Sequence, residues 1–453
     1  MTEAPRLTQG TVSNGLRHLT FPMLLGISSS LVAALFETYL IGLIGTNELA
    51  AYSFTFPVIG ALQSISLGLS IGLSAVLARS VGAGNQSEIK RLATDGMLLM
   101  IIVMITVAII GTLTIDWLFN LLGAGPETSP IIHEYMSIWY LGLLFFTLPQ
   151  IGANALRAKG DAKLSGTLMV GGAALQMVLD PIFILGLGGF PELGVAGAAW
   201  AMVVSRVVLV VITFHMLVNK EDLIDLSKPV LSVCLHSWRR IVSVGIPAMA
   251  TQLISPVSTA IIVSMLASFG KEAVAGFGIA ARVEALSVIP LFALSASIGP
   301  FVGQNWGADR RDRADEAMRL TFSWSLTWGL MVALIFFFLH EPIASFFDDN
   351  AEVTQYAGFY LMIVPFSYGA WGVLMMASAT FNSLGKPLLS TTMSIVRMFV
   401  IYVPLAFIGQ HFWGVYGIFG AAAVSNLLMG LVAFTWNRKV YVPLVRDPGL
   451  ELR

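Results

Sequence analysis

Charge is scarce in this chain. Its 453 residues contain 11% Asp, Glu, Lys and Arg together, less than half of the roughly 25% found in soluble domains, and that excludes a water-soluble enzyme. An excess of basic residues is also missing: 25 Lys and Arg against 26 Asp and Glu leave a formal net charge of -1, so nucleic-acid phosphates find no basic surface. Cysteine occurs once, at Cys234. One thiol forms no internal disulfide and has no companion at metal-ligand spacing, so no metal centre or bound cofactor is expected. A cleavable signal peptide is absent as well, because the first apolar run is too long and lacks a small-residue cleavage site; it reads as a signal anchor.

Apolar sequence fills the chain instead, with 56% hydrophobic residues and a mean hydropathy of +0.81. A bilayer core of about 30 Å is crossed by roughly 20 apolar residues in helical form. Runs of that length recur twelve times, at 18–44, 50–78, 93–121, 132–156, 164–188, 194–217, 241–268, 274–304, 321–339, 353–384, 388–409 and 415–436. A barrel strand needs only about 10 residues of alternating polarity, so the runs predict helices. The expected fold is an all-α integral membrane protein with twelve transmembrane helices.

The few basic residues give the orientation. Arg6 and Arg17 precede the first run; Arg79, Lys90 and Arg91 follow the second; Arg157, Lys159 and Lys163 follow the fourth. Lys220, Lys228, Arg239 and Arg240 lie after the sixth, Arg310, Arg311, Arg313 and Arg319 after the eighth, Lys386 after the tenth, and Arg438, Lys439, Arg446 and Arg453 after the twelfth. The opposite connections hold Lys271 alone. By the positive-inside rule, both termini are expected in the cytoplasm of a multi-pass plasma (inner) membrane protein.

The chain also repeats itself with a shift of 225 residues. Leu19-Thr20-Phe21-Pro22 answers Val244-Gly245-Ile246-Pro247, Gly82-Ala83-Gly84-Asn85 answers Gly307-Ala308-Asp309-Arg310, and Leu156-Arg157-Ala158-Lys159-Gly160 answers Phe381-Asn382-Ser383-Leu384-Gly385. Six helices per half is an even number, so the halves are parallel repeats of the kind that flank a central cleft in transporters. The expected organisation is an N-terminal six-helix lobe at 1–218, a polar cytoplasmic linker at 219–240 and a C-terminal six-helix lobe at 241–453.

A charge at the bilayer centre costs at least about 2.5–3.5 kcal/mol, so each one invites a functional explanation. Glu37 lies deep in the first run and Asp180 deep in the fifth, at depths within about two helical turns of one another. Glu284 lies in the eighth. At the repeat shift these become Ile262, Leu405 and Ile59, so the fold's symmetry does not require them. Glu37 and Asp180 form an acidic site that can take up and release a proton, or hold a Na+ through oxygen ligands. Gln176 stands four residues before Asp180, on the same helix face. Arg206, Arg282 and Arg397 are the bases inside runs and candidate counter-ions; Arg282, two residues from Glu284, does not face it, and Glu284 fits a structural ion pair as well as a transport role.

Eight segments together resemble the multidrug and toxic compound extrusion (MATE) family over almost the whole chain: FETYLIGLIG (36–45), RSVGAGNQSEIKR (79–91), NALRAKGDAK (154–163), LQMVLDPIFI (175–184), GVAGAAWAMVVSR (194–206), GIAARVEALSVIP (278–290), FVGQNWGAD (301–309) and FNSLGKP (381–387). The resemblance implies a monomeric secondary active exporter, not an enzyme, that exchanges H+ or Na+ for drug-like cationic or amphipathic compounds by alternating access. It also implies a cation-coupling site at Glu37, Asn154, Gln176 and Asp180. Family members usually carry Asp and Asn where Glu37 and Gln176 stand, so both side chains are one methylene longer here. The acids on the seventh and tenth helices of NorM-type members are replaced by Ser255 and Trp371, so the chain is more similar to the DinF-like bacterial type; Glu284, in RVEAL, matches a family position and is a secondary candidate. Two alternatives are a lipid-linked precursor flippase of the same superfamily, for which a basic cavity is expected, and an integral-membrane enzyme, for which no catalytic motif is found.

Overall fold

The computed structural model describes residues 6–224, 231–437 and 439, and every regular element among them is helical. Eleven of these helices are long and apolar enough to cross a membrane, and a bent pair, Lys271–Ser287 with Ile289–Gly307 meeting at 46°, supplies the twelfth span. In order the others are Val12–Ile44, Thr46–Gly82, Gln86–Leu121, Ser129–Lys159, Ala162–Ile184, Gly194–Asn219, Leu231–Ala267, Arg311–Phe347, Ala351–Ser383, Pro387–Trp413 and Val415–Trp436. Twelve spans were expected and twelve form. Asp225, Lys228, Arg438, Arg446 and Arg453 lie outside the described residues.

Several helices outrun their apolar stretch. The ninth span was expected over 321–339 and runs Arg311–Phe347, because helical hydrogen bonding continues past the hydrocarbon boundary while hydropathy marks only the part inside it. Side-chain caps fix other ends. The Asn85 carbonyl oxygen accepts the Glu88 amide at 3.3 Å, and the Asp161 carboxylate accepts the Leu164 amide at 2.9 Å, each satisfying an orphan N–H of the first turn. Of the apolar stretch of the second span 72% is buried, against 22% for the third, so the second is an inner helix and the third turns most of its surface outward.

The sequence repeat is a repeat of turns. Ala83 N–H bonds Arg79 C=O at 2.9 Å and Gly84 N–H bonds Val81 C=O at 3.1 Å; 225 residues on, Ala308 bonds Gln304 at 3.0 Å and Asp309 bonds Trp306 at 3.1 Å. Gly84 has φ +75° and its counterpart Asp309 has φ +55°, the left-handed region that Asp tolerates and that β-branched residues do not. Gly160 and Gly385 match likewise, with φ +99° and +74° and amides bonded to Arg157 and Asn382.

The chain forms two compact units, Phe21–Met249 and the chain up to Thr20 together with Ala250 onward. Their edges fall inside the first and seventh spans, beside Pro22 and Pro247, and not in the polar linker. Side-chain bonds explain both edges. In the second unit the Leu7 amide donates to Gln304 Oε1 at 3.2 Å, Asn305 Nδ2 donates to Leu7 C=O at 3.1 Å, and Arg313 donates to Gly10 C=O at 2.7 Å. In the first, Arg240 pairs with Glu88 at 2.5 Å, Lys159 pairs with Glu221 at 2.8 Å, and Trp238 Nε1 donates to Asp95 C=O at 2.8 Å. The Asp95 side chain, 1% exposed, accepts from Arg91 Nε at 3.1 Å and from Cys234 Sγ at 3.3 Å.

Small residues let helices approach within each unit, as membrane packing without a hydrophobic driving force requires. A Cβ at Gly197 would stand 2.3 Å from Phe183 C=O, and one at Gly329 would stand 2.2 Å from the Gly369 nitrogen. Besides the bent eighth, two spans in the second unit are irregular. The tenth is interrupted by a 3-10 turn at Val364–Ser367, which contains Pro365, and the eleventh by a π-helical stretch at Val396–Tyr402, which Pro404 closely follows. A missing proline N–H relaxes the i to i−4 ladder, and π-helical segments inside α-helices gather at functional sites.

Candidate functional site

The first unit brings Glu37, Gln176 and Asp180 together. Gln176 and Asp180 share one face of the fifth span through their spacing of four, and Gln176 Nε2 donates to Glu37 Oε2 at 2.9 Å across from the first span. The three are 7%, 8% and 0% exposed for Glu37, Gln176 and Asp180. Tyr52 of the second span lies within electrostatic reach of Glu37, and its ring meets that of Tyr135 edge-on, with centroids 5.6 Å apart. The Asp180 carboxylate differs from Glu37. Neither of its oxygens has a hydrogen-bond partner among the described residues, although it lies within electrostatic reach of Glu37.

A buried carboxylate without donors is costly. Such a group is suited to taking a proton, or to sharing a cation with Glu37 and the Gln176 amide oxygen, since hard cations select oxygen donors. Arg206 of the sixth span supplies a fixed positive charge that acts on Glu37. Its guanidinium lies over the Phe146 ring, 5.2 Å from the centroid, and a Cβ at Gly172 would stand 3.4 Å from its Nη1.

Asn154 is buried, but its side chain is spent along its own helix. Nδ2 donates to Gln150 C=O at 2.9 Å, and Oδ1 accepts from Arg157. Arg282 is exposed on the eighth span. Glu284 belongs to the other unit, where it accepts from the hydroxyls of Tyr360 at 2.7 Å and Tyr368 at 2.9 Å. Tyr52 and Tyr135 escaped the sequence reading, which followed charges. One signal was available for Tyr135, because the repeat places Tyr360 in its position.

Gln176→Leu removes a donor from the ionised Glu37 carboxylate and so favours its protonated form. A hydrogen bond to a charged group contributes about 1.5–3 kcal/mol, so the H+ concentration needed to half-protonate the site is expected to fall roughly 10- to 150-fold by the same range. Asn154→Ala, which removes bonds running along one helix, is expected to leave that concentration close to wild type. Measuring initial transport rates against cation concentration in vesicles separates the two; equal effects would refute the geometry.

Comparison with known proteins follows the same division of the chain. The MatE family model matches twice, at residues 22–182 and 247–408, so the two matches begin at positions related by the repeat shift. The chain is 32% identical to the FAD transporter of Shewanella oneidensis, over 98% of each chain. It is 27% identical to the probable multidrug resistance protein YoeA of Bacillus subtilis, over 89% of each. Among solved structures, a mutant of the Vibrio cholerae MATE transporter VcmN superposes with a TM-score of 0.91 at 30% identity, covering 96% of this chain and 98% of that one. With both halves matched and its twelve helical spans accounted for, the chain belongs to the MatE family of membrane transporters.

Proposed function

We propose that this transporter is a secondary active exporter that exchanges H+, or in its place Na+, for cationic and amphipathic organic compounds by alternating access. It acts as a monomer in the plasma membrane, with both termini cytoplasmic. Its lobes are the repeats at 1–218 and 241–453, joined by 219–240. The work is vectorial and makes or breaks no covalent bond. The observation that carries this reading is the pair of buried carboxyls, Glu37 bonded to Gln176 and Asp180 without a donor, on two different spans of one unit. Relatives named for multidrug resistance support the same cargo.

Arg206 fixes the sign of the coupling. With both carboxylates ionised, the three charged groups sum to a net negative site; with both protonated, only the guanidinium charge remains. A cationic compound is held by the first state and expelled by the second, which is antiport. An anionic compound prefers the second state, and would travel with H+ and not against it. The Shewanella relative, named a FAD transporter, makes a flavin dinucleotide the second reading of the cargo, and it requires that opposite coupling or a different binding place.

The deciding measurement imposes H+ and Na+ gradients separately on proteoliposomes, with a cationic dye and FAD as alternative cargoes. Uphill dye movement driven by an opposing H+ gradient is the expected result. Dye movement under the Na+ gradient alone assigns Na+ as the coupling ion. FAD movement with dye excluded selects the second reading, and no movement of either cargo under either gradient overturns the proposal.

A further inference from the structure

Arg282 of the eighth span is a cation inside the membrane that neither the exchange site nor the Glu284 cluster uses. It is exposed, and it has no hydrogen bond or ion pair with the described residues. Lys271, Ala275, Gly278, Arg282 and Ala285 follow one another at spacings of four and three, which sets them on one helix face. All five are exposed or half-buried, whereas Ala273, Gly276, Ala280 and Val283 on the opposite face are buried. Glu284 lies off the open face, because residues two apart on a helix point different ways. Its carboxylate accepts from Tyr360 and Tyr368, and the arginine that acts on it is Arg397.

The make-up of this face sets it apart from one that lies against lipid. The ninth span turns Leu326, Leu330, Leu334 and Phe338 outward at the same spacing, large apolar side chains suited to hydrocarbon tails. The eighth has alanine and glycine in their place, with an arginine among them. Eleven residues at about 1.5 Å each put Arg282 roughly 16 Å along the helix from Lys271, near the middle of a hydrocarbon layer about 30 Å thick. An arginine against lipid is costly there, so what faces it is water or an anion. The face is also open. A Cβ at Gly278 would meet no atom within 4 Å, and a cavity of about 490 Å³ lies at the Lys271 end, lined by Ala267, Gly270, Lys271, Val274 and Ala275. Lys271 is the one basic residue in the connections on its side of the membrane, and its side chain, 93% exposed, pairs only loosely with Glu272 at 3.9 Å.

We propose that Arg282 binds the oxyanion of an elongated organic acid, a carboxylate or a phosphate, with the body of the molecule lying along Gly278 and Ala275 toward the cavity beside Lys271. A guanidinium presents planar pairs of N–H donors that match either oxyanion. The small side chains leave room beside it for a ring system or a chain, and Lys271 supplies a second positive charge for an acid that carries two. On the exporter reading, on which this rests, the site widens the cargo. The carboxylates of the first unit repel such a molecule, and the second unit holds the different binding place that an anionic compound requires.

Riboflavin and flavin mononucleotide provide the test, because they share a ring system and differ by one phosphate ester. Titrated by flavin fluorescence against the full-length protein in neutral detergent, flavin mononucleotide is expected to bind wild type roughly 10- to 150-fold more tightly than riboflavin, the range of one hydrogen bond to a charged group. Arg282→Gln is expected to bring the two affinities together, and Lys271→Gln to weaken binding of the nucleotide by less. Arg282 is exposed, so its variant is expected to fold. Should it not, Arg282→Lys keeps the charge without the planar fork and is expected to retain only part of the preference. No binding of the nucleotide, equal affinities in wild type, or an undiminished preference in the folded variant overturns the site. Displacement of the nucleotide by phosphatidylglycerol in mixed micelles would assign Arg282 to lipid headgroups and overturn it as a place for cargo. No gradient enters the titration, so a protein that binds as expected and yet moves no cargo in proteoliposomes keeps the site and loses the exporter reading.

Discussion

Glu37→Gln and Asp180→Asn are each expected to reduce gradient-driven dye efflux to the level of protein-free vesicles. An amide can neither gain nor lose the proton, and it offers a cation one neutral oxygen in place of a charged pair. Glu37→Gln keeps an acceptor for Gln176, so the contact seen at 2.9 Å can persist and the protein is expected to remain folded. Asp180→Asn brings new N–H groups to a place without partners, so its folding needs to be checked by size-exclusion chromatography before its transport is read. A third variant, Glu37→Asp, withdraws the carboxyl by one methylene from Gln176 and is expected to keep a reduced efflux that still depends on the gradient. Wild-type efflux in both neutral variants would remove the carboxyl pair from the mechanism.

The second large effect concerns stability. Asp95 holds the start of the seventh span through Cys234 and, by its backbone, Trp238, while pairing with Arg91 of its own helix. Arg91 is itself largely enclosed, with 15% of its side chain exposed. Removing one partner of a buried pair leaves an uncompensated charge and costs about 3–5 kcal/mol. Asp95→Ala is therefore expected to lower the melting temperature in detergent by several degrees, whereas Asp95→Asn, which keeps an oxygen toward Cys234, is expected to lose less. An unchanged melting curve for Asp95→Ala would show that the linker and the start of the seventh span are held by something else.

The spans and the repeat were legible because the bilayer dictates them. A fixed hydrocarbon thickness asks for about 20 apolar residues at each crossing, and the turns of the repeat demand Gly or Asp at the same left-handed positions, as Gly84 and Asp309 show. Glu37, Asp180 and Gln176 were legible because a charge inside an apolar run is costly and a spacing of four places two side chains on one face. Asn154 shows what spacing cannot supply. A resemblance puts an amide in the right segment, but whether it faces the acid or folds back along its own helix depends on a neighbour, Arg157, that competes for its oxygen. The grip of Gln304, Asn305 and Arg313 on the start of the chain was illegible for another reason. Contacts between residues about 300 positions apart leave no periodicity in either partner.

Those contacts dictate an order of assembly. Leu7 and Gln304 are separated by 297 residues, and Gly10 and Arg313 by 303. At a synthesis rate of roughly 5–20 residues per second, the start of the first span waits roughly 15–60 s before the surface that receives it exists. The start of the seventh span is in the opposite position, since Glu88 and Asp95 have been made well before Arg240 and Trp238 emerge. One segment is thus an early tether held open for a late partner, and the other docks on a surface already built. A chain released after Met249 would leave the first unit with its dock filled and its early tether unpaired, the state in which a membrane chaperone or protease would meet it.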